Sequence, residues 1–255
     1  MRELTEVAPG VLVATAIQYT TTSTVVIGAG GSCLVVDPSV TVAEVTGLAD
    51  ELARRSLRPV AGWATHAHWD HLLWCAELGD VPRYSTQRGV ELAQRERAGL
   101  IEGVNAAAPG HDLELFGRLM VLEGNRVPWD GPAAMVVEHD AHEIGHGAIF
   151  LTETGTLLAG DMLSDLEIPL LYPGDPDPIG RYRAGLELLA ALDVVRTVVP
   201  GHGHVGDAIE FRRRVDVDRR YLDKLERGVR EADDDRIGSD WLLSEHERQF
   251  SMLHG

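Results

Sequence analysis

Short β-branched and apolar runs, separated by polar or glycine-rich breaks, open the chain at residues 11–17, 24–27 and 33–36. This pattern predicts consecutive antiparallel strands. Gly28-Ala29-Gly30-Gly31 marks a turn, and Asp37-Pro38-Ser39 stops the third run. Apolar positions at Val45, Leu48, Leu52 and Leu57 then recur with helical spacing over 42–57. Residues 59–64 read as a buried strand, 72–78 as a helix, 82–85 as a strand and 87–106 as a helix. A turn-rich stretch follows, with Pro109-Gly110 and Trp129-Asp130-Gly131-Pro132 around a short strand at 118–122. Runs at 135–138, 148–152, 156–158 and 194–199 read as further strands. Helices are expected at 179–192, where Tyr182, Leu186 and Leu189 form a stripe, at 207–232 and at 240–252. No internal repeat or linker interrupts this order, so one domain is expected over 1–255, with a helical C-terminal extension from about 206.

The ends of these strands carry the chemistry. The run at 59–64 leads straight into Thr65-His66-Ala67-His68-Trp69-Asp70-His71, which holds four metal-capable side chains in six residues. Three imidazoles and a carboxylate so close together are hard to bury as core residues, because each polar group needs a partner. On an extended segment His66 and His68 share a face, while Asp70 and His71 lie beyond it where the chain can turn. That arrangement suggests two neighbouring metals. His139, His142 and His146 cluster between two strands. The run at 156–158 closes on Gly160-Asp161, and that at 194–199 on Pro200-Gly201-His202-Gly203-His204. In layered α/β architectures such strand ends are where sites are built.

Composition narrows the partners. The 255 residues, with 44% hydrophobic, 25% charged and 27 glycines, are those of an ordinary globular protein. A formal net charge of -17 disfavours nucleic acid and anionic lipid surfaces as partners. Arg212, Arg213 and Arg214, the nearest approach to a basic patch, read as a solvated helix face. Cys33 and Cys75 read as small buried hydrophobes outside any disulfide or C-x-x-C pattern. Neither a signal peptide nor a membrane span of ~18 apolar residues is expected, which makes the cytoplasm the default compartment. Nothing in the pattern assigns an oligomeric state.

His66-x-His68-x-Asp70-His71, followed by His142, Asp161 and His202, resembles the metal set of the metallo-β-lactamase-fold hydrolases. His142-Glu143-Ile144-Gly145-His146 resembles that family's Gly-His-Thr-Pro-Gly-His turn, Gly160-Asp161 its Gly-Asp strand end, and Pro200-Gly201-His202-Gly203 its late Pro-Gly-His-Gly. Four motifs in the same order make the likeness specific. It implies an α/β fold, the four-layer αβ/βα sandwich of that family. It also implies a first metal held by His66, His68 and His142, a second held by Asp70, His71 and His202, and Asp161 bridging them. Ligands of this type suit two divalent ions, Zn²⁺ foremost, without excluding Fe or Mn. His146 is expected beside the site in packing or hydrogen bonding. His111, His246 and His254 are expected in solvent. Ala141 and Glu143 depart from the family's usual Gly and Ser or Thr beside the third ligand.

The resemblance implies a metal-dependent hydrolase in which two ions share a hydroxide, oriented by Asp70 and Asp161, for attack on a small-molecule substrate. An aspartate at 161 sets the chain apart from the best-known β-lactamase branch, where a cysteine is expected, and closer to thioesterases of the hydroxyacylglutathione type and to lactonases. Ester, thioester or lactone hydrolysis is therefore expected. A mononuclear-iron oxidoreductase resembling the persulfide dioxygenases, or a β-lactam hydrolase, is the alternative. Leu163, Leu166, Ile168, Leu170, Leu171 and Tyr172, on the loop 162–180, are expected over the metals, with Tyr172 and the bulky Trp69 as substrate-contacting residues.

Overall fold

The computed structural model describes residues 3–230 and 233–255. Two mixed sheets face each other. In the first, seven strands lie side by side in chain order: β1 (Thr5–Ala8), β2 (Val11–Thr15), β3 (Thr22–Ile27), β4 (Ser32–Val36), β5 (Arg58–Trp63), β6 (Arg83–Ser85) and β7 (Met120–Val121). Their first four strands pair antiparallel, and β4 through β7 pair parallel. Parallel strands require crossover connections: α1 (Val42–Arg54) joins β4 to β5, 3-10 turns lie between β5 and β6, and α2 (Gln87–Arg95) and α3 (Arg97–Ala107) join β6 to β7. The second sheet runs in the order β12 (Gly206–Asp207), β11 (Thr197–Pro200), β10 (Thr156–Gly160), β9 (His146–Leu151) and β8 (Ala134–His139). Only its β10–β11 pair is parallel, and its crossover is α4 (Pro178–Ala190). The chain ends in α5 (Ala208–Glu226) and α6 (Asp240–His254).

Strand alternation assigns the faces. Val11, Val13, Val26, Leu34, Val36 and Trp63 of the first sheet meet Ile149, Leu151, Leu158 and Val199 of the second in a core between the sheets. The intervening residues of the first sheet, among them Leu12, Val25, Cys33 and Val35, pack outward under Val45, Leu48 and Leu52 of α1. Ala148, Phe150, Leu157 and Val198 do the same under α4 and α5. The result is helix, sheet, sheet, helix, the four-layer sandwich that the motifs imply. Trp63 ties the layers, its buried indole Nε1 donating across the sheets to Gly147 O at 2.9 Å.

Sequence and structure differ where polar residues are buried or chain geometry intervenes. Residues 72–78 form no α-helix but two 3-10 turns, Trp69–His71 and Ala76–Leu78, with Leu72, Leu73 and Trp74 buried between them. The single helix expected at 87–106 is broken at Glu96 into α2 and α3, so that Leu92 and Val104 reach one cluster with Phe116. The helix expected at 207–232 ends at Glu226, and its expected last residues, 231 and 232, lie outside the described residues. Arg214 is not on a solvated face: it is buried, its Nη1 donates to Leu163 O at 3.2 Å, and Asp165 and Glu210 lie nearby. His246 is likewise buried, hydrogen-bonded to the Tyr221 hydroxyl at 3.0 Å and to Arg230 O at 3.0 Å. His111 is part-buried and bonded to Val40 O, while His254 is exposed as expected, its ring bonded to Leu225 O. Among the described residues, no helix is long and apolar enough to cross a membrane.

Candidate metal centre

Four chain segments converge at one edge of the sandwich. Strand β5 ends at Trp63 and delivers residues 65–71, β10 ends at Gly160 and delivers Asp161, and β11 ends at Pro200 and delivers His202. The turn between β8 and β9 delivers His142. Backbone bonds lock these ends together: Gly147 N to Thr65 O at 2.7 Å, Gly201 N to Gly160 O at 2.6 Å and Thr22 N to Gly201 O at 2.7 Å. All seven residues expected from the motifs come together. His66, His68, His142 and Asp161 form one group able to hold an ion and Asp70, His71 and His202 a second, the donor atoms within each lying within 4.8 Å of one another.

The spacing fits metal ligation. Arms of about 2.0–2.1 Å in a tetrahedral zinc site put neighbouring donors about 3.3–3.4 Å apart. In the first group, Asp161 Oδ2 lies 3.5 Å from both His66 Nε2 and His142 Nε2, and His68 Nδ1 lies 3.2 Å from His142 Nε2. In the second, Asp70 Oδ2 lies 3.2 Å from His202 Nε2 and 3.6 Å from His71 Nε2. Asp161 Oδ1 stands 3.2 Å from His71 Nε2 and Oδ2 3.3 Å from His202 Nε2, so the carboxylate lies between the two groups. His66 Nε2, His71 Nε2 and Asp161 Oδ1 are buried without a hydrogen-bond partner. Such orphaned polar atoms cost about 1–3 kcal/mol each unless something fills the space between them.

The remote nitrogen of each imidazole is held, which turns the other nitrogen inward, toward the position a metal would take. Thr65 Oγ1 donates to Asp37 Oδ2 at 2.7 Å and so accepts from His66 Nδ1 at 3.0 Å. His71 Nδ1 donates to Asp37 Oδ2 at 2.9 Å, His142 Nδ1 to Leu170 O at 3.2 Å and His202 Nδ1 to Tyr19 O at 3.0 Å. His68 is turned the other way, with Nε2 on Glu143 Oε2 at 3.1 Å. Asp37 and Tyr19, both missed as site residues in the sequence, sit at left-handed φ of 47° and 58°. Such strain in non-glycine residues collects at functional sites. Asp37 is 34 residues from His71. Its sequence signal, an Asp-Pro pair closing a strand, reads equally well as a plain turn.

Burial sets the charge states. It drives His66 far below its ordinary range and His142 down to about 3, so both are neutral and ready to ligate. Burial would raise Asp70, but His71 and His202 outweigh it and pull the carboxyl down to about 2. Burial would raise Asp161 as well, yet His202, His71 and His66 hold it far below the carboxylate range. Against burial, the same carboxylates hold His71 and His202 well above their usual range in the metal-free chain. An ion entering the second group therefore displaces protons.

The remaining candidates separate. His146 is fully buried and stacks between His66 and His139, with ring centroids at 5.0 and 4.5 Å, and neither of its nitrogens has a hydrogen-bond partner. Packing is thus its contact, not hydrogen bonding. His204 is exposed on Asp165, away from the donor groups. Trp69 packs against Gly103 of α3 and meets Tyr19 edge-on at 6.1 Å. Tyr172 is half-buried. Of the loop expected over the metals, Leu163, Ile168 and Leu171 turn instead into the core under α4 and α5, and Leu166 is exposed. The loop reaches the centre through the Leu170 carbonyl and through Ser164, whose Oγ donates to His202 O at 2.6 Å. A cavity of about 580 Å³ lies elsewhere, between α5 and the segment around Asp234.

Comparison with known proteins agrees with this geometry. Residues 18–202 match the model of the metallo-beta-lactamase superfamily. A hydroxyacylglutathione hydrolase of Ruegeria pomeroyi is 30% identical over 70% of this chain and 62% of its own length. One of Rhodospirillum rubrum is 28% identical over 74% of this chain and 64% of its own length. The chain thus spans less than two thirds of these curated relatives. Among solved structures, a beta-lactamase domain protein from Burkholderia ambifaria aligns with a TM-score of 0.72 at 17% identity, covering 98% of this chain and 86% of its own. A metallo-beta-lactamase family protein from Thermus thermophilus aligns with a TM-score of 0.66 at 21% identity, covering 96% of this chain and 90% of its own. With the fold, the ligand order and the matched span in agreement, this chain belongs to the metallo-beta-lactamase superfamily.

Proposed function

We propose that the protein is a dinuclear metal-dependent hydrolase of small acyl substrates, with thioesters as the first class to test. The observation that carries this reading is the set of buried donors without hydrogen-bond partners, His66 Nε2, His71 Nε2 and Asp161 Oδ1, aimed into one space. The thioester preference rests on the curated relatives, whose names are those of thioester hydrolases, and on Asp161 in place of a cysteine. Ester and lactone substrates share the same acyl chemistry.

When bound, two divalent ions polarise a carbonyl and make water nucleophilic near pH ~7. The chain's own residues do the rest. His66, His68 and His142 present three nitrogens to one ion, and Asp70, His71 and His202 present one carboxylate and two nitrogens to the other. Asp161, anionic and facing both groups, bridges them. Asp70 and Asp161 also orient the attacking water as acceptors for its protons. Trp69 and Tyr172 are the substrate contacts proposed, Tyr172 offering its hydroxyl to the carbonyl oxygen. Zn²⁺ is the ion proposed, and the cytoplasm the compartment.

The test is metal content by elemental analysis, paired with a panel of small thioesters, esters, lactones and β-lactams. Two ions per chain, thioester turnover and its loss on chelation are expected. Full turnover in a metal-stripped sample overturns the proposal. One iron per chain with oxygen uptake replaces it with the mononuclear oxidoreductase.

A further inference from the structure

Five imidazoles face the two ion positions, and four of them are buried as well as hydrogen-bonded: the side chains of His66 and His71 are 0% exposed, that of His142 4% and that of His202 9%. His68 is different, with 38% of its side chain exposed. An exposed imidazole is free to swing into solvent and leave its ion three-legged. What opposes this is Glu143, whose Oε2 lies 3.1 Å from His68 Nε2 while its Oε1 accepts from Ile144 N at 2.7 Å. Glu143 itself is buried. With both oxygens engaged, the carboxylate is fixed and serves as an anchor, and it stands outside both donor groups. It occupies the position where the resembling turn carries Ser or Thr. A hydroxyl there is shorter and neutral, whereas a carboxylate gives a charge-assisted bond roughly twice as strong.

We propose that Glu143 is a positioning residue for the first ion: it fixes His68 with Nδ1 turned inward. Each ion is then backed by one carboxylate, Glu143 behind His68 and Asp37 behind His71. This rests on reading the site as a two-ion centre. Carboxylates behind ligating histidines commonly contribute about 10–100-fold in metal affinity.

The experiment compares the zinc-loaded protein with Glu143→Ala and Glu143→Gln by titration of Zn²⁺ against a chromophoric chelator. Two further readouts are the visible spectrum of the Co²⁺-substituted proteins and the urea midpoint of the metal-free proteins. In Glu143→Ala one ion is expected to loosen about 10–100-fold while the other keeps its affinity, with an altered Co²⁺ spectrum and an unchanged urea midpoint. Glu143→Gln should fall between, because an amide oxygen can accept from only one of the two donors that the carboxylate serves. Unchanged affinities for both ions overturn the role. So do equal losses at both ions that track a lower urea midpoint, which indicate a purely structural residue. A wild type that binds no pair of ions overturns the two-ion reading itself, a result distinct from either.

Discussion

Gly201 lies against the carboxylate of Asp161 so closely that a Cβ at this position would overlap Oδ1, the oxygen that faces His71. Its φ is not left-handed, so the requirement for glycine is one of space alone. Gly201→Ala is therefore expected to push Asp161 out of its position between the two donor groups. The protein should still fold, and its metal content should drop from two ions to one or fewer with a loss of turnover of about 100-fold or more. Circular dichroism and elemental analysis on the same sample check this. A variant that keeps two ions contradicts the bridging role of Asp161.

Trp63 makes a second prediction, about stability. Its indole is the donor that reaches Gly147 O from the opposite sheet, next to the bond from Gly147 N to Thr65 O that holds the His cluster. Trp63→Phe keeps an aromatic ring but removes the donor and leaves a void. A cost of about 1–3 kcal/mol is expected, read as a fall in Tm of roughly 2–4 °C per kcal/mol for a chain of this size. A Tm within a degree of wild type contradicts it.

Much of this arrangement is legible in the sequence because the ligands sit where apolar runs stop. A buried imidazole needs a partner, so an apolar run such as 59–64 followed at once by His66 and His68 announces a strand end with a site on it. What escapes the pattern is whatever depends on a distant partner. Strand β1 is polar and half-exposed and pairs with β2 only as an edge. Glu96 is an ordinary helix residue, yet α2 and α3 bend there to pack around Phe116. Arg214 and Asp218 look like the solvated face of α5 until the chain returns to cover them. Arg236 then pairs with Asp218 at 2.6 Å and donates to Glu167 O at 3.0 Å. Asp37 reads as a turn residue, and only the fold reveals that it braces both Thr65 and His71.

The rim of the centre yields a prediction on substrate preference. The loop before β3 is pinned to the second donor group by its backbone: Tyr19 O takes His202 Nδ1, and Thr20 O takes Gly203 N at 3.1 Å. Its side chains are left outward, with Ile17 and Tyr19 exposed and Tyr19 against Trp69. Tyr19→Asn keeps a residue that tolerates the left-handed φ and removes the ring. KM for substrates with apolar acyl groups should rise about 5- to 30-fold, corresponding to roughly 1–2 kcal/mol of lost apolar contact, with metal content unchanged. Tyr172→Phe is expected to lower kcat on the same panel. An unchanged kcat across esters, thioesters and lactones removes Tyr172 from the site.

The stacked histidines predict how stability depends on pH. His139 is buried with Nε2 unpartnered, and burial pushes it down to about 4, against its ordinary 6.5. Burial also holds His146 well below its ordinary range. Between pH 6.5 and about 4 the unfolded chain therefore carries a proton on residue 139 that the folded chain does not. Because the unfolded state binds more protons in this window, stability falls as the pH falls, by about 1.4 kcal/mol per pH unit for this group. Over the whole window His139 accounts for roughly 3 kcal/mol. In urea midpoints measured from pH 7.5 down to 4.5, the wild type should lose stability more steeply than His139→Phe as the solution becomes acidic, because the phenyl ring cannot be protonated in either state. Parallel curves would mean that His139 is protonated in the folded protein, and that the stack tolerates a charge against His146.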